Sequence, residues 1–229
     1  MQEGLMVRRM FKLGLALAFG GLAVAQSGCI VGAAIGGMAA SYESTGESMV
    51  FAEYQGLTDK TYAVIVTAPR SIQGEHPRLV SSLTNAIGSR LASANDDVLA
   101  LGFVPGPRVL EFQYTTPQWT AWSYEELLDH FQVDRLIVVD LFEFRLREPG
   151  NRYVWDGRIS SRVGVVEADT GSPNEFTFVR DLRIRYPDDG GYTAADYTQA
   201  HVEASLKDRF ANRVSWLFYD HMEPNRIRY

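Results

Sequence analysis

Asp169-Thr170-Gly171 is the three-residue core of an aspartic protease site, whose chemistry needs two such carboxylates sharing a proton in a cleft. The sequence carries no second copy, and the triplet falls between two expected strands, where Asp and Gly are ordinary turn residues. Asp188-Asp189-Gly190-Gly191 lacks the alternating acidic ligands and distal Glu of a calcium loop. His76, His130, His201 and His221 are scattered, with no His-Glu-x-x-His or other tight ligand spacing, so no metal centre is expected. Without a Gly-x-Ser-x-Gly motif, a phosphate loop or a dinucleotide fingerprint, no catalytic residue and no cofactor is expected either. The nearest approach to an acid–base set is Glu125, Glu126 and Asp129, carboxylates beside an aromatic stretch that an envelope hydrolase would have to complete through its fold.

Two other groups point to binding. Arg145, Arg147, Arg158, Arg162, Arg183 and Arg185 fall on the expected solvent parity of three neighbouring strands, with Glu143, Asp156 and Asp181 interleaved. Such a face is either solvated and laced with cross-strand ion pairs or a docking surface for an acidic partner, because guanidinium forks match carboxylates. Trp119 and Trp122 belong to an aromatic stretch over 114–124 that either packs against the domain's own edge or holds a glycan or a partner strand.

The elements that must position these residues are read from periodicity. Thr61 to Ala68 is a β-branched run closed by Pro69, which predicts a buried strand, with Met49 to Tyr54 a preceding edge strand. Leu79, Leu83, Ile87 and Leu91 recur every fourth residue and predict an amphipathic helix over His76 to Ala94. Gly102, Pro105, Gly106 and Pro107 interrupt the next stretch, leaving Val109 to Tyr114 as a short strand. Ser123 and Glu126 form a capping box that opens a short helix over Tyr124 to Phe131, with His130 at its C-terminal end.

Val133 to Leu146 is a strand whose second half places Phe142, Phe144 and Leu146 on one face; Tyr153 to Ala168 and Glu175 to Tyr186 return as two more strands of a meander. A last helix, Thr193 to His221, carries the stripe Val202, Leu206, Phe210, Val214 and Leu217. The order predicts an α+β fold: a two-layer sandwich, its mainly antiparallel sheet ending in a C-terminal meander, with one face covered by two longer helices.

At the N-terminus, Arg8, Arg9 and Lys12 precede an uncharged apolar run from Leu13 to Ala25, and Ser27-Gly28 then leads into Cys29, the one cysteine of the chain. This segment resembles a bacterial lipoprotein export signal. The resemblance implies cleavage before Cys29 and acylation of that residue, and hence a protein held on a membrane by its lipid and facing the periplasm. Two alternatives stay open: ordinary signal cleavage after Ala23-Val24-Ala25, or an uncleaved span within Leu13 to Ala40. All three put the folded part outside the cytoplasm, where a lone cysteine cannot form an internal disulfide. Ile30 stands where an Asp would be associated with inner-membrane retention, which directs the expectation to the outer membrane.

The resulting organisation is a signal peptide over 1–28, a lipid-anchored tether over 29–48 and one domain over 49–229. The tether carries Gly28, Gly32, Gly36 and Ala40 at a spacing of four, which reads as flexible spacer or as a small-residue helix face. A formal charge of −6, which becomes more negative once the basic leader is removed, argues against nucleic acid as a partner. Val133-Asp134-Arg135-Leu136-Ile137-Val138-Val139-Asp140 at the head of the meander and Arg213-Val214-Ser215-Trp216-Leu217-Phe218 near the end make the domain similar to an uncharacterised group of envelope lipoproteins. More distantly it resembles the small α/β domains of the Tol-system periplasmic protein and the curli-secretion lipoprotein. The expected role is a non-enzymatic interaction or assembly module contacting another envelope protein. The alternatives are an envelope hydrolase and a subunit of a secretion or pore complex.

Overall fold

The computed structural model describes residues 46–224. The expected signal peptide over 1–28, Cys29 and nearly all of the expected tether therefore lie outside the described residues. Of the described residues, Met49–Met222 form one compact unit, and the short flanks 46–48 and 223–224 belong to another. At the meeting of their sequences, β1 (Glu47–Val50) and β7 (His221–Pro224) form a two-stranded sheet. The strand expected at Met49 to Tyr54 is thus shorter, begins earlier and pairs outside the main sheet. Among the described residues no helix is long and apolar enough to cross a membrane.

Unit Met49–Met222 is built on a five-stranded sheet of order β3-β2-β4-β5-β6, from β2 (Thr61–Thr67), β3 (Gly102–Phe103), β4 (Arg135–Arg145), β5 (Gly157–Glu167) and β6 (Phe176–Tyr186). The three long strands form the expected antiparallel meander, while β2 runs parallel to both of its neighbours. Register between β2 and β4 is set at one point. The Asp134 carboxylate accepts from the Thr61 N–H (2.9 Å) and hydroxyl (2.9 Å), and the Asp134 N–H donates back to Thr61. These bonds hold the Asp134 carboxyl below the usual range, the Thr61 N–H foremost.

One sheet face is covered by the two longer helices, α2 (Leu79–Ser93) and α6 (Gln199–Ser215), as expected. Their stripes meet Val64, Val66, Ile137, Val139, Ile159, Val163 and Leu182 in one core. A second core lies on the other face over β2 and β4, where α4 (Gly106–Thr115) and α5 (Tyr124–Phe131) pack Val109, Phe112, Leu127 and Phe131 on Ile65, Leu136 and Val138. Beyond it, no helix among the described residues covers that face of β5 and β6.

Several boundaries differ from those predicted, each for a physical reason. The stretch Val109–Tyr114 is helical, not a strand: Pro105 is the N-cap and Pro107 occupies the first turn of α4, where a missing N–H costs nothing. The helix expected from His76 is split into α1 (Arg70–Glu75) and α2, because Pro77 forces His76 out of the helical region (φ −131°, ψ 70°). A four-residue helix, α3 (Asn95–Val98), follows α2. Phe142 does not share a face with Phe144. A register shift between Leu141 and Glu143 inserts it as a bulge, 51% exposed, and the inward series passes from Leu141 to Phe144. The last helix starts at Gln199 instead of Thr193, because the Trp155 indole N–H donates to the carbonyls of Thr193 (2.9 Å) and Tyr197 (2.9 Å) and holds that segment as a loop.

Candidate functional site

The helices of the second core stop short of β5. Between the 3-10 turn Pro117–Ala121 and the sheet they leave a cleft of about 390 Å³, lined by Thr67, Trp119, Trp122, Tyr124, Asp140, Arg162, Gly164 and Phe176 among others. Its aromatic wall is fixed from behind. Trp122 meets Phe112 edge-on (5.2 Å between centroids) and His130 likewise (5.6 Å), and Tyr124 tilts against Phe176 (5.0 Å). Gly164 makes the floor shallow enough for this packing, since a Cβ there would lie 2.5 Å from the Phe176 ring.

The opposite wall is polar. Asp140 accepts from the Thr67 hydroxyl (2.7 Å), and Arg162 donates through Nε to Asp181 (2.9 Å), a pairing that holds the Asp181 carboxyl below its usual range. Tyr124 is shifted upward, by burial and then by the Asp140 charge. The cleft thus combines flat apolar rings with one acceptor and one fork of donors. That set suits recognition; it does not make a pair of catalytic carboxylates.

On the same face, along the part of β4 to β6 that no described helix covers, lies a second, separate groove of about 310 Å³, lined by Phe142, Glu143, Arg158, Ser160, Arg183, Ile184 and Arg185. Asp156, 7% exposed, gathers three arginines, two of which line the groove: Arg185 approaches to 2.9 Å, Arg158 to 3.2 Å and Arg145 to 3.5 Å. Arg145 also meets Glu143 at 2.9 Å. Arg183 forms no close ion pair among the described residues, its charge acting on Asp181 at longer range, and guanidinium groups outnumber carboxylates here although the chain is acidic overall. Of the six arginines read as one surface, Arg147 is elsewhere. Its guanidinium lies 3.7 Å over the Trp155 ring, because the strand has ended at Arg145 and no longer dictates parity.

The remaining candidates are dispersed. Glu125, Glu126 and Asp129 are exposed and none lines the cleft; Glu126 is used by the capping box, where it accepts from the Ser123 N–H (2.7 Å). Asp169 is a turn residue between β5 and β6 whose carboxylate holds Arg135 (2.6 Å) and Lys60 (2.8 Å). Among the described residues no group of three or more His, Cys, Asp and Glu is placed to hold a metal ion. Asp140 was missed by sequence reasoning, yet it left a signal: it is the single acidic residue inside the run Leu136–Leu141.

The Asp169 contacts carry a pH dependence. Arg135 first, and then Lys60, hold the Asp169 carboxyl well below the usual carboxylate range. A depressed folded value contributes stability that is present above the unfolded pKa, about 3.9, and is lost as pH falls through the folded value. The thermal midpoint should therefore hold between about pH 7 and 5 and decline below about pH 4, with a shallower decline in Asp169→Asn. Because that side chain is half exposed, its share is about 1 kcal/mol or less. Identical acid slopes in the two proteins would show that the pair contributes nothing.

No family model matches the chain, and no curated protein matches it. Solved structures of loosely similar shape exist. Lipoprotein GNA1162 from Neisseria meningitidis is 12% identical, over 68% of this chain and 97% of its own, at a TM-score of 0.43. The PelC dodecamer from Paraburkholderia phytofirmans is 10% identical, over 76% of this chain and 96% of its own, at 0.41. Protein XCC0632 from Xanthomonas campestris is 10% identical, over 73% and 85%, at 0.42. At these values they are likenesses only, and no family membership follows.

Proposed function

We propose that this chain is a lipid-anchored protein of the bacterial envelope, held through Cys29 and facing the periplasm, at the outer membrane. In this reading its domain is a non-enzymatic module that docks an acidic segment of another envelope protein. The observation that carries the reading is the convergence of Trp119, Trp122 and Arg162 in one cleft, on the sheet face that also carries the arginine-lined groove. Rigid aromatics supply area at a small entropic cost, arginine forks supply carboxylate recognition, and both residue types dominate the energetic centres of interfaces. The export signal supports the location.

The test is affinity capture of the full-length protein from envelopes. Cys29→Ser should lose lipid labelling and release the domain to the soluble fraction. In the anchored protein, changing Arg158, Arg162 and Arg183 together to Ser should reduce partner recovery at least about tenfold, as should raised salt, while stability changes by about 1 kcal/mol or less. Unchanged recovery with an intact thermal transition would make the arginines a solvated face, and normal labelling of the Cys29 variant would refute the anchor.

A further inference from the structure

The two edges of the main sheet are unlike. At one end β3 is two residues long, too short to template anything. At the other, β6 runs for 11 residues and is paired on one side alone. Its irregularity is confined to the start, opposite Val165 and Val166; from Phe178 to Tyr186 the register is unbroken. No proline or bulge interrupts that stretch, Val179 is 48% exposed, and the contact from the preceding segment is made by Glu53, 3.2 Å from Arg180, a residue of the same parity as the core residue Leu182.

A groove of about 330 Å³ lies there, lined by Arg180, Asp181, Leu182, Arg183, Ile184 and Arg213. Successive strand residues point to opposite faces of a sheet, so a groove lined by five in a row must run alongside the main-chain edge itself. At its far end the Arg209 guanidinium donates to the Arg185 carbonyl (3.4 Å), which closes the edge beyond that residue.

We propose that a second copy of this chain occupies this groove, β6 pairing antiparallel with β6 about a twofold axis at Leu182. The charge pattern selects both the partner and the register. Centring the axis on Asp181 would set two carboxylates face to face, and centring it on Arg183 would set two guanidinium groups face to face. With the axis at Leu182, Asp181 of each copy lies opposite Arg183 of the other, twice, and directly opposed residues share a face with Cβ atoms about 5 Å apart. Arg183 forms no close ion pair among the described residues, its charge reaching Asp181 of its own chain at longer range, and the Asp181 bonds to Arg162 leave acceptor positions on its oxygens. A strand of uniform charge would satisfy one of the two residues and repel the other; a second copy satisfies both. The ladder spans Val179 to Arg185 and joins two five-stranded sheets into one of ten. The axis is perpendicular to the sheet, so both arginine-lined faces lie on the same side of the dimer.

The experiment is sedimentation of the detergent-solubilised full-length protein over a concentration series, with circular dichroism and a thermal melt confirming that each variant folds. The wild type should be dimeric. Asp181→Arg and Arg183→Asp, each of which sets like charges opposite one another twice, should weaken the dimer about tenfold to a hundredfold. The double variant D181R/R183D exchanges the signs and should restore it. A wild type that stays monomeric at the highest concentration overturns the proposal, as does a dimer indifferent to both single changes. Folded single variants that dissociate but are not rescued by the double change overturn the register on which it rests.

Discussion

Replacing Trp155 with alanine is expected to cost about 4 kcal/mol of folding stability, enough to lower the thermal midpoint by about 10 °C. The side chain is 1% exposed and sits where the β4–β5 hairpin meets the loop before α6. Three contributions end together. The ring leaves the main core, the indole N–H no longer satisfies the Thr193 and Tyr197 carbonyls, and the Arg147 guanidinium loses the face it covers at 3.7 Å. Trp155→Phe separates them: it keeps most of the packing but strands both carbonyls, for an expected loss of about 1–2 kcal/mol. A calorimetric loss below about 1 kcal/mol for the alanine variant would contradict the role assigned to this ring.

Arg135→Ala should also be damaging, at about 3 kcal/mol, because it removes a buried guanidinium and strands the Gly56 and Asp134 carbonyls and the partly buried Glu167, while the half-exposed Asp169 adds little. At 5% exposure, the Arg135 guanidinium donates to the Gly56 carbonyl (3.1 Å), the Asp134 carbonyl (2.9 Å) and both Asp169 oxygens, and stands 3.3 Å from Glu167. It thereby ties the segment before β2, the start of β4 and the β5–β6 turn to one planar group. Lysine has a point charge in place of the fork and should recover only part of the loss. Urea titration should show a lower midpoint at unchanged slope, whereas an unchanged midpoint would show the network to be incidental.

The meander was legible because its strands alternate cleanly and its turns are rich in Gly, Pro, Asn and Asp, and α6 because its stripe repeats every fourth residue. Elsewhere local signals misled. Leu110-Glu111-Phe112-Gln113-Tyr114 alternates well enough to pass for a strand, and Pro107 reads as a breaker until the helix whose first turn it occupies is seen. Phe142 kept perfect alternation in sequence, and only the bulge beside it reveals that the strand changes face. The parallel pairing of β2 with β4 joins residues 73 positions apart through Thr61 and Asp134, and nothing in their order announces it. The site shares that fate: Trp119 and Trp122 were visible as an aromatic cluster and Arg162 as part of a charged face, but periodicity within each element says nothing about which elements adjoin.

The first half of β4 is buried on both faces, with Ile137 and Val139 in one core and Leu136 and Val138 in the other. Neither core can melt while leaving that strand in place, because its residues answer to both in alternation. The two hydrophobic clusters are therefore one cooperative unit, and damage confined to the Trp119–Tyr124 side should be felt as earlier amide exchange under α2 and α6, on the far side of the sheet.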